Sequence, residues 1–148
     1  MTGVQTCALP ICELFTLEAQ RKGLAGIVVD GLIRDTNTIR TLDIPVYACG
    51  TNPQAGTVGK LGESQVTVSC AGVLVRPGDI VFGDDDGVLV ADPQTVLAAL
   101  PQAEAICARE ARIIERLKAG ESLAAMANAG EHIDCVRAGR ASTLRFDV

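Results

Sequence analysis

The segment that most limits the fold is residues 13–30, ELFTLEAQRKGLAGIVVD. Leu14, Leu17 and Ala19 or Arg21 fall at helical spacing and Gly23 is a plausible C-cap, which predicts a helix over 13–22. AGIVVD is then a short β-branched run of the kind found in a strand covered on both faces. A helix feeding directly into such a strand predicts an α/β layer. The run goes on as GLIRD, a glycine turn that ends on a cation and an anion side by side, Arg34–Asp35.

The rest of the chain extends this pattern. RDTNTIRTL offers Asp35, Thr36 and Thr38 as acceptors for the first N–H groups of a helix, and IPVYACG predicts a second strand. Residues 50–64 hold four glycines and a proline and read as a long loop, a length that is often functional. QVTVSC, GVLV, IVFG and VLVA predict short strands, with RPGD and DDDG as the turns. Asp92–Pro93 starts a helix by cap and first-position chemistry, and Pro101 is expected to break or restart it. Between Gln102 and Ala119 an apolar stripe runs through Ala103, Ile106, Cys107, Ile113, Ile114 and Leu117. It reads as core or subunit packing. Gly120 ends it, and ESLAAMANAG predicts a further short helix. From Glu131 onward no pattern is legible.

Composition narrows the function. A length of 148 residues suits one domain, and 48% hydrophobic content without Trp predicts a core of Val, Ile, Leu and Ala. The net charge of −5 repels phosphate and argues against nucleic acid as a partner. No apolar run approaches a membrane span and no basic stretch precedes an apolar one, so the expectation is a soluble, cytoplasmic protein. The six cysteines form no Cys-x-x-Cys pair and accompany a single histidine, which is poor zinc spacing. Cys49, Cys70, Cys107 and Cys135 read as buried or half-buried thiols in a reducing compartment. Residues 1–12, MTGVQTCALPIC, carry no charge and no period. They resemble the translation of a sequencing-adapter oligonucleotide, and are read as an artefact or a flexible tail. The natural domain then begins at Glu13 and lacks part of its N-terminus.

Arg34–Asp35 is the leading chemical candidate. At a strand-to-helix junction of an α/β sheet, strand ends and helix N-termini converge on ligands. Arginine there can hold a carboxylate by two parallel N–H bonds, and the aspartate can hold a hard dication. A local ion pair with a helix cap accounts equally for the doublet. Asp84–Gly87, DDDG, combines metal-type carboxylates with a strong hairpin signal, and the turn is the preferred reading. Lys60 lies in the glycine-rich loop, within reach of a substrate anion or solvated. His132 is given no role. No glycine-rich phosphate loop follows a strand, so nucleotide or S-adenosylmethionine chemistry has no support.

Taken in order, the blocks ELFTLEAQRKGLAGIVVDGLIRD, IPVYACG, GTVGK and AGVLVRPGDIVFGDDDGVLVADP resemble the RraA-like family. The resemblance covers roughly Glu13 to Leu117. It implies an α/β sandwich with a central mixed β-sheet flanked by helices. Members include metal-dependent class II pyruvate aldolases acting on 4-hydroxy-4-methyl-2-oxoglutarate and 4-carboxy-4-hydroxy-2-oxoadipate, with oxaloacetate decarboxylase activity. Those enzymes carry an acidic residue, twenty intervening residues, then Arg-Asp, and here Glu13 and Arg34–Asp35 match. The resemblance implies that Asp35 coordinates Mg²⁺ or Mn²⁺. Arg34 then binds the pyruvyl group and steadies the enolate, and Glu13 acts through water on the metal. Backbone N–H groups of a Gly-Glu/Asp-Leu-Leu loop also bind pyruvate, which places Glu13, Leu14 and Phe15 at the substrate. Cys12 stands where that loop has glycine. The substrate implied is a small 2-oxo acid, and the assembly a homotrimer or hexamer in which a neighbour can donate an acidic residue. Two alternatives accompany this reading. One is a non-catalytic regulator that binds ribonuclease E, a branch without the aspartate after the arginine; the other is an inactive fragment of the aldolase.

Overall fold

The computed structural model describes residues 3–4, 11–56 and 62–147. The chain divides into two compact units, residues 1–96 and 97–148. The first is mixed α/β. Its three-stranded parallel sheet has the order β1–β2–β3, with β1 at Gly3–Val4, β2 at Ile27–Ile33 and β3 at Val46–Thr51. Helix α1, Glu13–Arg21, lies between β1 and β2 in sequence, and α2, Thr36–Ile39, between β2 and β3. Two antiparallel hairpins follow. One joins β4 (Val68–Cys70) to β5 (Val73–Val75), and the other joins β6 (Ile80–Asp84) to β7 (Gly87–Ala91).

The core of this unit is a cluster of Ile11, Ala19, Ile27, Val29, Ile33, Ile39 and Ile44. Burying each such isoleucine contributes about 1.5–3 kcal/mol, enough for the cluster to fix the α1–β2–α2 arrangement. Helix α1 forms where its spacing predicts, but the stripe read from sequence is not the buried one. Thr16 and Ala19 face the core, while Leu14 and Leu17 are 67% and 43% exposed. Strand β2 also differs from expectation. Burial alternates along it, with Ile27, Val29 and Ile33 inside and Leu32 exposed. Gly31 is no turn: β2 continues to Ile33 through a register shift against β3 between Val29 and Leu32. That shift is a bulge, which glycine tolerates and which twists the strand locally.

The hairpin turns match the sequence signals. Asp84 pairs with Gly87 across the DDDG turn, and the Asp86 N–H donates to Asp84 Oδ1 at 2.9 Å. These carboxylates close a turn. The second hairpin packs on β3 through Gly83, where a Cβ would lie 2.5 Å from Tyr47 Cζ. Asp30, at the bulge of β2, accepts the Ala71 N–H at 2.8 Å and so grips the turn between β4 and β5.

Helix α3 spans Pro93–Lys118 with Pro101 inside it, so the predicted break does not occur. Proline removes one intrahelical bond and crowds the preceding turn, at about 3 kcal/mol. The alanines on either side are the strongest helix formers, and the helix runs through. Asp92 caps it: Thr95 donates to Asp92 from both N–H (2.9 Å) and hydroxyl (2.6 Å), which lowers the carboxyl pKa. Of the 102–119 stripe only Ile113 is buried; Ile106, Ile114 and Leu117 are exposed. In the second unit, a 3-10 turn at Leu123–Met126 is capped by Ser122 and buries Met126 almost completely. Helix α4, Ala129–Arg137, occupies the stretch where no pattern was legible.

Candidate functional site

The Arg34–Asp35 corner is built by two backbone bridges. Ile11 pairs with Ile33, and the Arg34 N–H donates to the Ile11 carbonyl at 3.0 Å. That bond sets the end of β2 against Ile11, two residues before the start of α1. It therefore brings the Glu13 end of α1 to Arg34, although twenty residues separate them in sequence.

Two features of the corner are unusual. Asp35 is non-glycine in the left-handed region, at φ 61° and ψ 34°. Aspartate tolerates this better than most residues, yet such conformations still cost about 1 kcal/mol or more. Its backbone carbonyl accepts from Thr38 and Ile39, each at 3.1 Å, but its carboxylate makes no cap bond to α2. The carboxylate meets only the Arg34 guanidinium, with Nε to Oδ2 at 3.5 Å and both side chains about a third exposed. A pair of that exposure contributes about 0–1 kcal/mol. The cap half of the local explanation for the doublet is absent, and the ion-pair half does not outweigh the backbone cost.

The second feature is Arg34 Nε, which is buried and among the described residues makes no well-formed hydrogen bond, the Asp35 carboxylate at 3.5 Å being its one charged neighbour. An orphaned donor of this kind costs about 1–3 kcal/mol, and an acceptor arriving from outside removes that cost. Donors also gather on the α1 side. Cys12 is the N-cap and supplies no side-chain acceptor. By helix geometry the N–H groups of Glu13, Leu14 and Phe15 have no partner within the helix. The corner thus offers first-turn N–H donors without intrahelical partners, a guanidinium, and a carboxylate held loosely by that guanidinium, which together suit a small anion with a dication.

The donor set also fits a metal of the right kind. Among the described residues no three His, Cys, Asp or Glu side chains converge to hold an ion. Mg²⁺ asks for one or two carboxylates and keeps water and substrate oxygens for the rest, so Asp35 meets that demand where a zinc-type cage would fail.

The other candidates lie elsewhere. Lys60 falls outside the described residues. His132 Nδ1 sits 3.0 Å from Ser142 Oγ in the second unit, which ties α4 to the segment after it. The five described cysteines are free thiols, and Cys49 and Cys107 are exposed where burial was expected; burial, then Asp30 and Cys49, push the Cys70 thiol up. Sequence reasoning missed Thr16, the buried polar residue whose hydroxyl donates to the Cys12 carbonyl at 3.0 Å. Its place, four residues after the N-cap and inside an apolar helix face, is the signal that was available.

The comparisons agree with this architecture. The family model RraA-like, Aldolase/RraA, matches residues 2–90. An uncharacterized protein of Methanocaldococcus jannaschii is 41% identical over 110 residues, which are 74% of this chain and 53% of that protein. A Cupriavidus taiwanensis protein provisionally named as a 4-hydroxy-4-methyl-2-oxoglutarate aldolase is 44% identical over 90 residues, 61% of this chain and 54% of that one. Among solved structures, Streptomyces coelicolor RraAS2, an unusual member of the RNase ES inhibitor RraA family, superposes with a TM-score of 0.59 at 31% identity. That match covers 76% of this chain and 61% of the other. The chain spans about half the length of these curated relatives. Among the described residues no helix is long and apolar enough to cross a membrane.

Proposed function

Because the chain belongs to the RraA-like family, we propose that it is a divalent-metal-dependent lyase that cleaves 4-hydroxy-2-oxo acids to pyruvate and a second oxo acid. Its substrates are 4-hydroxy-4-methyl-2-oxoglutarate or 4-carboxy-4-hydroxy-2-oxoadipate, and it also decarboxylates oxaloacetate. The observation that supports the reading is Asp35, held left-handed with its carboxylate released from capping, beside a buried Arg34 Nε that makes no well-formed hydrogen bond among the described residues.

Each group has a task in that chemistry. The N–H groups at the start of α1, from Glu13, Leu14 and Phe15, bind the substrate carboxylate at a helix N-terminus. Glu13 takes the proton of the 4-hydroxyl by way of water. The C3–C4 bond breaks, its electron pair moves onto the C2 oxo group, and the resulting pyruvate enolate is protonated at C3. Arg34 aims its guanidinium at the oxygen where that charge develops, and one preorganised donor of this kind is worth about 3 kcal/mol. A dication held by Asp35, Mg²⁺ or Mn²⁺, supplies Lewis-acid stabilisation of the same charge when bound. Oxaloacetate reaches the same enolate by losing carbon dioxide, hence the second activity.

The proposal includes a cytoplasmic homotrimer or hexamer. The apolar side chains left exposed on the hairpins, among them Leu74, Phe82 and Leu89, support a covered surface there. The test is pyruvate release from oxaloacetate and from 4-hydroxy-4-methyl-2-oxoglutarate, with Mg²⁺, with Mn²⁺ and with EDTA. Metal-dependent release that vanishes in Asp35→Asn is expected; release indifferent to the chelator refutes the reading. The similarity to RraAS2 favours one competing reading, a regulator that binds ribonuclease E. A chain without turnover that slows RNA cleavage by that enzyme selects it.

A further inference from the structure

We propose that Thr16 is a positioning residue for the substrate's carboxylate, an inference that rests on the aldolase reading. Thr16 is fully buried, at 0% exposure, one helical turn before Ala19 of the apolar core cluster. A threonine in that place loses solvation and needs a reason to be polar. Its hydroxyl and its own N–H both donate to one acceptor, the Cys12 carbonyl, at 3.0 and 3.1 Å. One residue earlier, the Ile11 carbonyl accepts the Arg34 N–H at 3.0 Å.

These bonds pin two successive peptide units from opposite sides. The Ile11 carbonyl is tied to the arginine corner, and the Cys12 carbonyl is tied into the first turn of α1. The second of these units is the one that carries the Glu13 N–H, since the Cys12 carbonyl and the Glu13 N–H share one peptide. With no side-chain cap at Cys12, the Thr16 hydroxyl is a second bond that reinforces the helical N–H bond to that carbonyl. The Thr16 hydroxyl therefore helps set the angle between the α1 donors and Arg34, the two arms that must close on one carboxylate. The acceptors at positions 11 and 12 are both backbone carbonyls, so the device works with any side chain there.

The test compares Thr16→Val, which keeps the shape and deletes the hydroxyl, with Thr16→Ser, which restores the hydroxyl. The free protein is read first, by amide hydrogen exchange. Thr16→Val speeds exchange at Arg34 and at residues 13–16 while Val29, deep in β2, is unchanged; Thr16→Ser exchanges like wild type. The second readout is turnover of oxaloacetate with Mg²⁺. KM rises about three- to tenfold in Thr16→Val, the range one net hydrogen bond allows, kcat changes less, and Thr16→Ser recovers KM. Exchange that is unaltered at Arg34 and residues 13–16 overturns the proposal. So does altered exchange with an unchanged KM, which assigns the hydroxyl to stability alone. If wild type releases no pyruvate, the aldolase reading fails and the positioning role falls with it, whatever the exchange data show.

Discussion

The left-handed conformation of Asp35 permits an experiment in which stability and activity move apart. Three neutral substitutions, Asp35→Asn, Asp35→Gly and Asp35→Ala, all remove the 3.5 Å contact to Arg34, so that term cancels among them. What remains is backbone. At φ 61° an alanine pays the Cβ penalty of the left-handed region, about 1–2 kcal/mol. Glycine pays none there, but its freer unfolded chain costs about 0.5–1 kcal/mol. Asparagine tolerates the region as aspartate does. Glycine and asparagine variants should thus be close in stability, with the alanine variant lower by about 1 kcal/mol. Urea unfolding, with midpoint and slope fitted separately, reads these differences. Turnover should be lost in all three, since each removes the carboxylate. An alanine variant as stable as the glycine one refutes the backbone argument, and metal-dependent turnover in the asparagine variant refutes the carboxylate assignment.

Gly83→Ala places a Cβ 2.5 Å from Tyr47 Cζ, so the ring must swing off the hairpin. Overpacking of this kind costs about 1–3 kcal/mol. A double-mutant cycle with Tyr47→Ala should show the penalty disappear, and a penalty that persists locates the clash elsewhere. Glu18 accepts two hydrogen bonds from Arg21, each 2.8 Å, and these hold its carboxyl at about 2 against the usual 4.5. A depressed carboxyl stabilises the fold fully above pH 4.5, and that contribution is lost as pH falls from 4.5 toward 2. An NMR titration should find the Glu18 midpoint near 2, and Arg21→Gln should return it toward 4.5. A wild-type midpoint already near 4.5 contradicts the pairing.

The order of helices and strands was legible because its signals are local. Gly23 closes α1, Asp92 opens α3, and DDDG folds β6 onto β7. What was misread depends on context. The spacing of Leu14 and Leu17 marked a helix but not its buried side, because Thr16 and Ala19 are the residues buried, Ala19 in one cluster with Ile27, Val29 and Ile33 of β2. Gly31 looked like a stop, since a bulge and a turn draw on the same residue type. Pro101 was weighed by its own penalty rather than by the alanines around it. Helix α4 is nine residues long and buries none of them, so no core-facing run marks it. At the candidate site the Arg34–Asp35 doublet was visible in sequence. The left-handed backbone, the orphaned Nε and the buried Thr16 were not, because all three follow from how Ile11 and Cys12 lie against β2.

The bulge in β2 acts as a length adjuster. From Val29 to Leu32 the strand advances three residues while β3, from Ala48 to Gly50, advances two. Removing Gly31 would even the two strands into a regular ladder. Leu32 and Ile33 would keep Gly50 and Thr51 as partners, and the local twist that the extra residue gives the strand would be lost. The spare residue thus tunes the direction in which this strand hands its charged pair to the start of α1.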